Sequence, residues 1–69
     1  MKITDSQSLG AALRGARRRL KVTQKDLALA SGTGLRFIIE LEKGKPTCQI
    51  GKALEIVRNL GLRLEMHNP

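Results

Sequence analysis

One cysteine, one histidine and one aromatic ring are all that this 69-residue chain holds of the side chains on which most chemical sites are built. The lone Cys48 excludes any disulfide within the chain. Cys48 and His67 together cannot supply a tetrahedral ligand set, so no metal is expected. Phe37 is the sole aromatic residue, which removes the stacking platforms on which single-strand and RNA-binding modules hold bases. No apolar run approaches the roughly 20 residues of a membrane span. The opening MKITDSQS lacks the apolar core of a signal peptide, and a single free thiol fits a reducing compartment. A cytoplasmic chain is the expectation. Carboxylates are also few, six against 13 Lys and Arg, giving a net charge of +7 and a pI near 10.6. Asp5, Asp26, Glu40, Glu42, Glu55 and Glu65 are scattered, and the close pairs have helical or capping explanations. Gly32-Thr33-Gly34 lacks the length and the Lys-Ser/Thr ending of a phosphate loop. Neither catalysis nor a cofactor is expected. The positive balance favours a polyanionic partner.

A domain of this length buries only about 60% of the surface its unfolded chain exposes. Small domains compensate with disulfides, metals or partner subunits. With the first two excluded, a homo-oligomer is expected.

The apolar positions show helical spacing through most of the chain. Leu9, Ala12, Leu13, Ala16 and Leu20 form one stripe from Ser6 onward, beside a cationic stripe of Arg14, Arg17, Arg18 and Lys21. Taken alone, the cationic stripe reads as an ordinary solvated face. Thr23 offers an N-cap with Asp26 as its capping-box partner. A short helix through Leu27, Ala28 and Ala30 then stops at Gly32. A third helix is expected from about Gly34 to Lys43, ended by Gly44 and Pro46. Thr47 is the candidate cap of a fourth, with Ile50, Ala53, Leu54, Val57 and Leu60 as its buried stripe. Leu62, Leu64 and Met66 then alternate with Arg63 and Glu65, the two-residue period of a half-buried strand. A lone strand has no sheet to join, so antiparallel pairing with a second copy is the simplest solution. A disordered tail is the alternative. The expected architecture is all-α, with four to five helices over 1–61 and a dimerisation strand and tail over 62–69.

Two short helices meeting at a glycine, with packing helices on either side, make a helix-turn-helix. The second of them should read base edges in a major groove. On a helical wheel Ile38 and Leu41 point to the core, with Phe37 at its margin. Leu35, Arg36, Ile39 and Glu40 share the opposite face. Apolar Leu35 and Ile39 suit thymine methyls, Arg36 can grip guanine, and Glu40 can accept from cytosine.

This segment resembles the helix-turn-helix of the phage repressor and Cro superfamily, the Xre family, at Thr23-Gln24, Leu27-Ala28, Gly32, Ile38, Leu41-Glu42 and Gly44-Lys45. The run TGLRFIIELEKGKPT and the closing LGLRLEM are similar to HipB-type antitoxins, small DNA-binding dimers encoded beside a HipA-like serine/threonine kinase toxin. The likeness spans about Leu9 to Met66. It implies a phosphate contact for Gln24 that also braces the third helix. It implies base-reading positions at Gly34, Leu35, Arg36 and Glu40, with Thr33 and Ile39 in the same DNA-facing set. Lys43 and Lys45 correspond to backbone contacts, and Arg17 with Glu42 to a structural ion pair. The resemblance departs at Gly34, where Ser or Thr is commoner, and at Leu35 and Ile39, often polar in relatives. The expected partners are palindromic operator DNA, a second copy of the chain and a HipA-like kinase. A free-standing Xre repressor, or a protein-interaction adaptor of the same fold, is the alternative.

Overall fold

Capping chemistry sets where the first two helices begin. Asp5 accepts from the backbone N–H of Ser8, and the Ser8 hydroxyl sits 3.0 Å from the Asp5 N–H in return. This reciprocal box opens α1 (Ser6–Arg19), and the two Ser8 contacts hold the Asp5 carboxyl below the usual carboxylate range. Thr23 and Asp26 make the second box and open α2 (Gln24–Ser31). Gly32 closes α2 in the left-handed region at φ 66°. Glycine adopts that region without steric penalty. α3 (Leu35–Lys43) follows after a three-residue turn, and α4 (Ile50–Asn59) completes the chain's regular structure. The computed structural model describes residues 2–68, so Met1 and Pro69, the outer ends of the two expected segments, lie outside the described residues.

Leu13 and Ala16 from α1, Leu27 and Ala28 from α2, Ile38 and Leu41 from α3, and Ala53, Ile56 and Val57 from α4 meet in one core, closed by Leu60. Leu9, Val22, Phe37, Cys48 and Leu62 pack around its edge. Among the described residues no helix is long and apolar enough to cross a membrane.

α1 approaches α3 closely enough that only a glycine fits between them. A Cβ on Gly10 would stand 2.4 Å from the Leu41 carbonyl oxygen and 2.7 Å from that of Glu42. One turn earlier, α1 lies over Gly44, whose φ is +87° and where a Cβ would meet the Gln7 backbone at 2.7 Å. The Ser6 hydroxyl fastens this contact by donating to the Gly44 carbonyl at 2.8 Å.

Three expectations are corrected. α4 is capped by Gln49 and not by Thr47, without a side-chain hydrogen bond. Its buried stripe runs through Ala53, Ile56, Val57 and Leu60, while Ile50 and Leu54 are exposed. Leu20 and Ala30 are exposed as well. Apart from these corrections, the expected strand is not formed in the single chain: among the described residues Leu62 to Asn68 carry no regular structure. A ladder needs a second strand, and a single copy offers none. Of the three apolar residues in this alternation only Leu62 is tucked against the core, while Leu64 and Met66 are exposed, as are Arg63 and Glu65.

Candidate nucleic-acid interface

α3 has two faces of opposite character. Ile38 is fully buried and Leu41 nearly so, whereas Leu35 and Arg36 are exposed and Ile39 and Glu40 half-exposed. The exposed row therefore combines apolar, cationic and anionic side chains within two turns. It is flanked by a shallow depression lined by Arg36, Ile39, Glu40, Lys43, Gly44, Lys45 and Pro46. Gly34 is the N-cap of α3 and brings no capping side chain. The backbone therefore approaches the surface bare at the start of this row. Thr33 lies half-buried in the turn, its hydroxyl oxygen shielded and without a hydrogen-bond partner among the described residues.

The exposed row is organised by an ion pair that helical spacing does not suggest. Lys45 reaches back across Gly44 to place its Nζ 2.9 Å from Glu40 Oε2. That hydrogen bond first, and then the positive charges of Lys45, Arg36 and Lys43, hold the Glu40 carboxyl below its usual range. Glu40 is thus anionic and aimed. The pair escapes sequence reading because Gly44 turns the chain between its members.

Beneath the row, α3 is fixed to α1 and α2 through one carboxylate. Arg17 donates from Nε to Glu42 Oε2 at 2.7 Å and from Nη2 to Oε1 at 3.1 Å, a two-point contact that geometry makes strong. Its remaining arm, Nη1, donates to the Val22 carbonyl at 2.8 Å. Lys21, left-handed at φ 58°, turns the chain so that this carbonyl faces α1. Gln24 donates to Glu42 Oε1 at 3.1 Å from the first residue of α2. The side chains of Arg17 and Glu42 are only 12% and 4% exposed. Donation to the Glu42 carboxylate first, and then its negative charge, hold the Arg17 proton more tightly than in water. Gln24, Arg17 and Glu42 are accordingly one network, and the position of α3 depends on it.

Lys43 ends α3 on the exposed side. Leu62, Leu64 and Met66 lie away from this face. Leu62 and Leu64 border an apolar groove of about 280 Å³ with Ile3, Leu9, Ala12 and Val57. The structure thus separates two surfaces, a mixed polar one on α3 and an apolar one by the C-terminal segment.

No protein-family model matches the chain. The chain is 41% identical over 68 residues to an uncharacterized HTH-type transcriptional regulator, y4mF, of Sinorhizobium fredii (strain NBRC 101917 / NGR234), covering 99% of this chain and 90% of that protein. Among solved structures it superposes on a HipB–O4 20mer complex with a TM-score of 0.89, covering 99% of this chain and 96% of that one. It superposes on a HipB–O1–O2 complex with a TM-score of 0.90 and 99% coverage of each chain. Sequence identity is 22% in both cases, so this second likeness is one of fold.

Proposed function

The chain belongs to the HTH-type transcriptional regulators, and from that premise we propose that it is a homodimeric, sequence-specific repressor of double-stranded DNA. It is a regulator and not an enzyme. The carrying observation is the exposed row of α3, where Leu35, Arg36, Ile39 and Glu40 stand clear of the core on a helix held rigidly from behind. Such a mixture matches the methyl, acceptor and donor pattern of a major groove. Gln24, Thr33, Gly34, Lys43 and Lys45 surround the row, and the lysines are suited to the phosphates beside it. The resemblance to HipB-type antitoxins extends the reading. On that extension the chain is an antitoxin that represses its own operon and binds a HipA-like kinase in the cytoplasm. A kinase gene beside its own would support that extension over a free-standing repressor.

Titration of a mixed-sequence duplex over a range of salt concentrations tests the central claim. Binding should weaken linearly on a log–log plot, because each neutralised phosphate releases counterions. A chain that binds no duplex even at low salt would be an adaptor.

Arg36 should carry base preference. On a site selected from a randomised duplex pool, Arg36→Ala is expected to lose about 1–3 kcal/mol, and much less on random duplex. Equal losses on both would reduce Arg36 to a phosphate contact.

The dimer joins two α3 helices at about one helical repeat, roughly 34 Å, which a palindromic operator requires. Leu64 and Met66 are exposed apolar side chains, as are Ile50 and Leu54 of α4, and Leu64 shares a shallow groove with Leu54. The C-terminal segments of two copies, paired antiparallel and backed by α4, would cover this surface, since two short strands alone are marginal in water. Removing residues 62–69 should lower the dimer population in sedimentation at micromolar concentration and weaken operator binding steeply. Leu64→Asp with Met66→Asp should do the same while sparing Leu62, which packs on the core. Truncated and full-length chains that dimerise equally would assign the segment to another partner.

A further inference from the structure

On the α1 side of α3 lies a notch of about 360 Å³, lined by Arg14, Arg17, Gln24, Ile39, Glu42 and Lys43. Arg17 is engaged by Glu42, so those two charges cancel. Arg14 and Lys43 remain, both exposed, and neither makes an ion pair among the described residues. The notch therefore carries two uncompensated positive charges and no free negative one. Ile39 and Lys43 also line the depression on the other flank, which ends at Lys45 and Pro46. α3 thus stands as a ridge between two clefts. A major groove about 12 Å wide admits one helix, so the sugar–phosphate lips of the groove must pass along the two flanks.

We infer that the notch between Arg14 and Lys43 seats one backbone phosphate of duplex DNA, with Arg14 as the group on α1 that grips it. This rests on the duplex-binding reading above. A guanidinium presents paired donors that match two phosphate oxygens. The seat is blind to sequence, and its role is register. α1 is docked to α3 through Gly10 and through the Arg17–Glu42 pair. A phosphate held by Arg14 therefore fixes how α3 is rolled about its axis in the groove, and so which side chains meet bases.

The test compares wild type, Arg14→Gln, Arg14→Lys and Arg19→Gln on a fluorescent mixed-sequence duplex across salt concentrations. Each phosphate contact contributes about 0.9 to the slope of log K against log salt. Arg14→Gln should reduce the slope by about that amount per protomer, and should weaken binding alike on mixed and selected duplexes. Arg14→Lys keeps the charge and should keep most of the slope. Arg19→Gln removes the same charge from another side of α1, where Arg19 borders the apolar groove by Ile3 and Leu62. It should match wild type. Helical circular dichroism establishes that each variant is folded. An unchanged slope for Arg14→Gln, or equal reductions for Arg14→Gln and Arg19→Gln, would overturn the seat and leave duplex binding standing. Absence of duplex binding by wild type would overturn both.

Discussion

Glu42→Ala is expected to lower the melting temperature by about 12–24 °C, from a loss of about 3 kcal/mol in a domain where each kcal/mol is worth roughly 4–8 °C. The loss arises from what is left behind. Without Glu42, the Arg17 side chain, only 12% exposed in the intact domain, keeps only the Val22 carbonyl as partner. Gln24 loses its acceptor as well. Breaking a buried pair by removing one partner costs about 3–5 kcal/mol, and the residual solvent contact of Arg17 places this case at the lower end. A 69-residue domain has about 3–10 kcal/mol in total, so about a third or more of its margin is at stake. Replacing both members by apolar residues, Arg17→Met with Glu42→Leu, should recover much of the loss, since no charge is then stranded. A Glu42→Ala variant that melts like wild type while losing DNA binding would reassign the carboxylate from scaffold to interface.

The second large effect is expected at Gly10. Alanine in place of a mid-helix glycine ordinarily stabilises by about 0.5–1 kcal/mol. At Gly10 the sign should reverse. The added methyl would lie 2.4 Å from the Leu41 carbonyl oxygen, and that oxygen belongs to a backbone fixed inside α3. Overpacking against atoms that cannot turn away costs about 1–3 kcal/mol, and the double contact with Leu41 and Glu42 argues for the upper end. Gly15, in the same helix, meets nothing closer than the tip of Arg19 at 3.6 Å. Gly15→Ala should therefore stabilise. Urea unfolding of the two variants compares them directly, and a stabilised Gly10→Ala would show that α1 shifts along α3 with little resistance.

The division between what sequence reveals and what it conceals follows from how far each cause reaches. The Thr23–Asp26 box, the stop at Gly32 and the two faces of α3 are local, and they are readable from residues three or four apart. The Arg17–Glu42 contact joins positions 25 residues apart. No periodicity implies it, and it was legible only through resemblance to a known family. α4 misleads for a different reason. Apolar residues occupy so much of its circumference that a stripe through Ile50 and Leu54 fits helical spacing as well as one through Ile56 and Leu60. Only the placement of α1, α2 and α3 decides which stripe is covered. Gly10 is concealed in the same way, since a glycine inside a helical run reads as a weakness until the carbonyls across from it are known. The Asp5–Ser8 box had a readable signal three residues apart, but Ser8 stands where the usual box has Glu or Gln. The terminal alternation needs a second copy to become a strand.

α3 is anchored unequally at its two ends. At Gly44 the backbone N–H bonds to Leu41, the carbonyl receives the Ser6 hydroxyl, and the first turn of α1 lies on top. At Gly34 there is no capping side chain and nothing within 4 Å of where a Cβ would be. Amide protons should accordingly exchange with solvent more slowly toward Gly44 and faster toward Leu35, a gradient running along a single helix. On the duplex-binding proposal, the end of α3 that carries Leu35 and Arg36 to the bases is the one fastened least beforehand. Its ordering is then deferred to the moment of contact, where a correct base sequence and an incorrect one reward it differently.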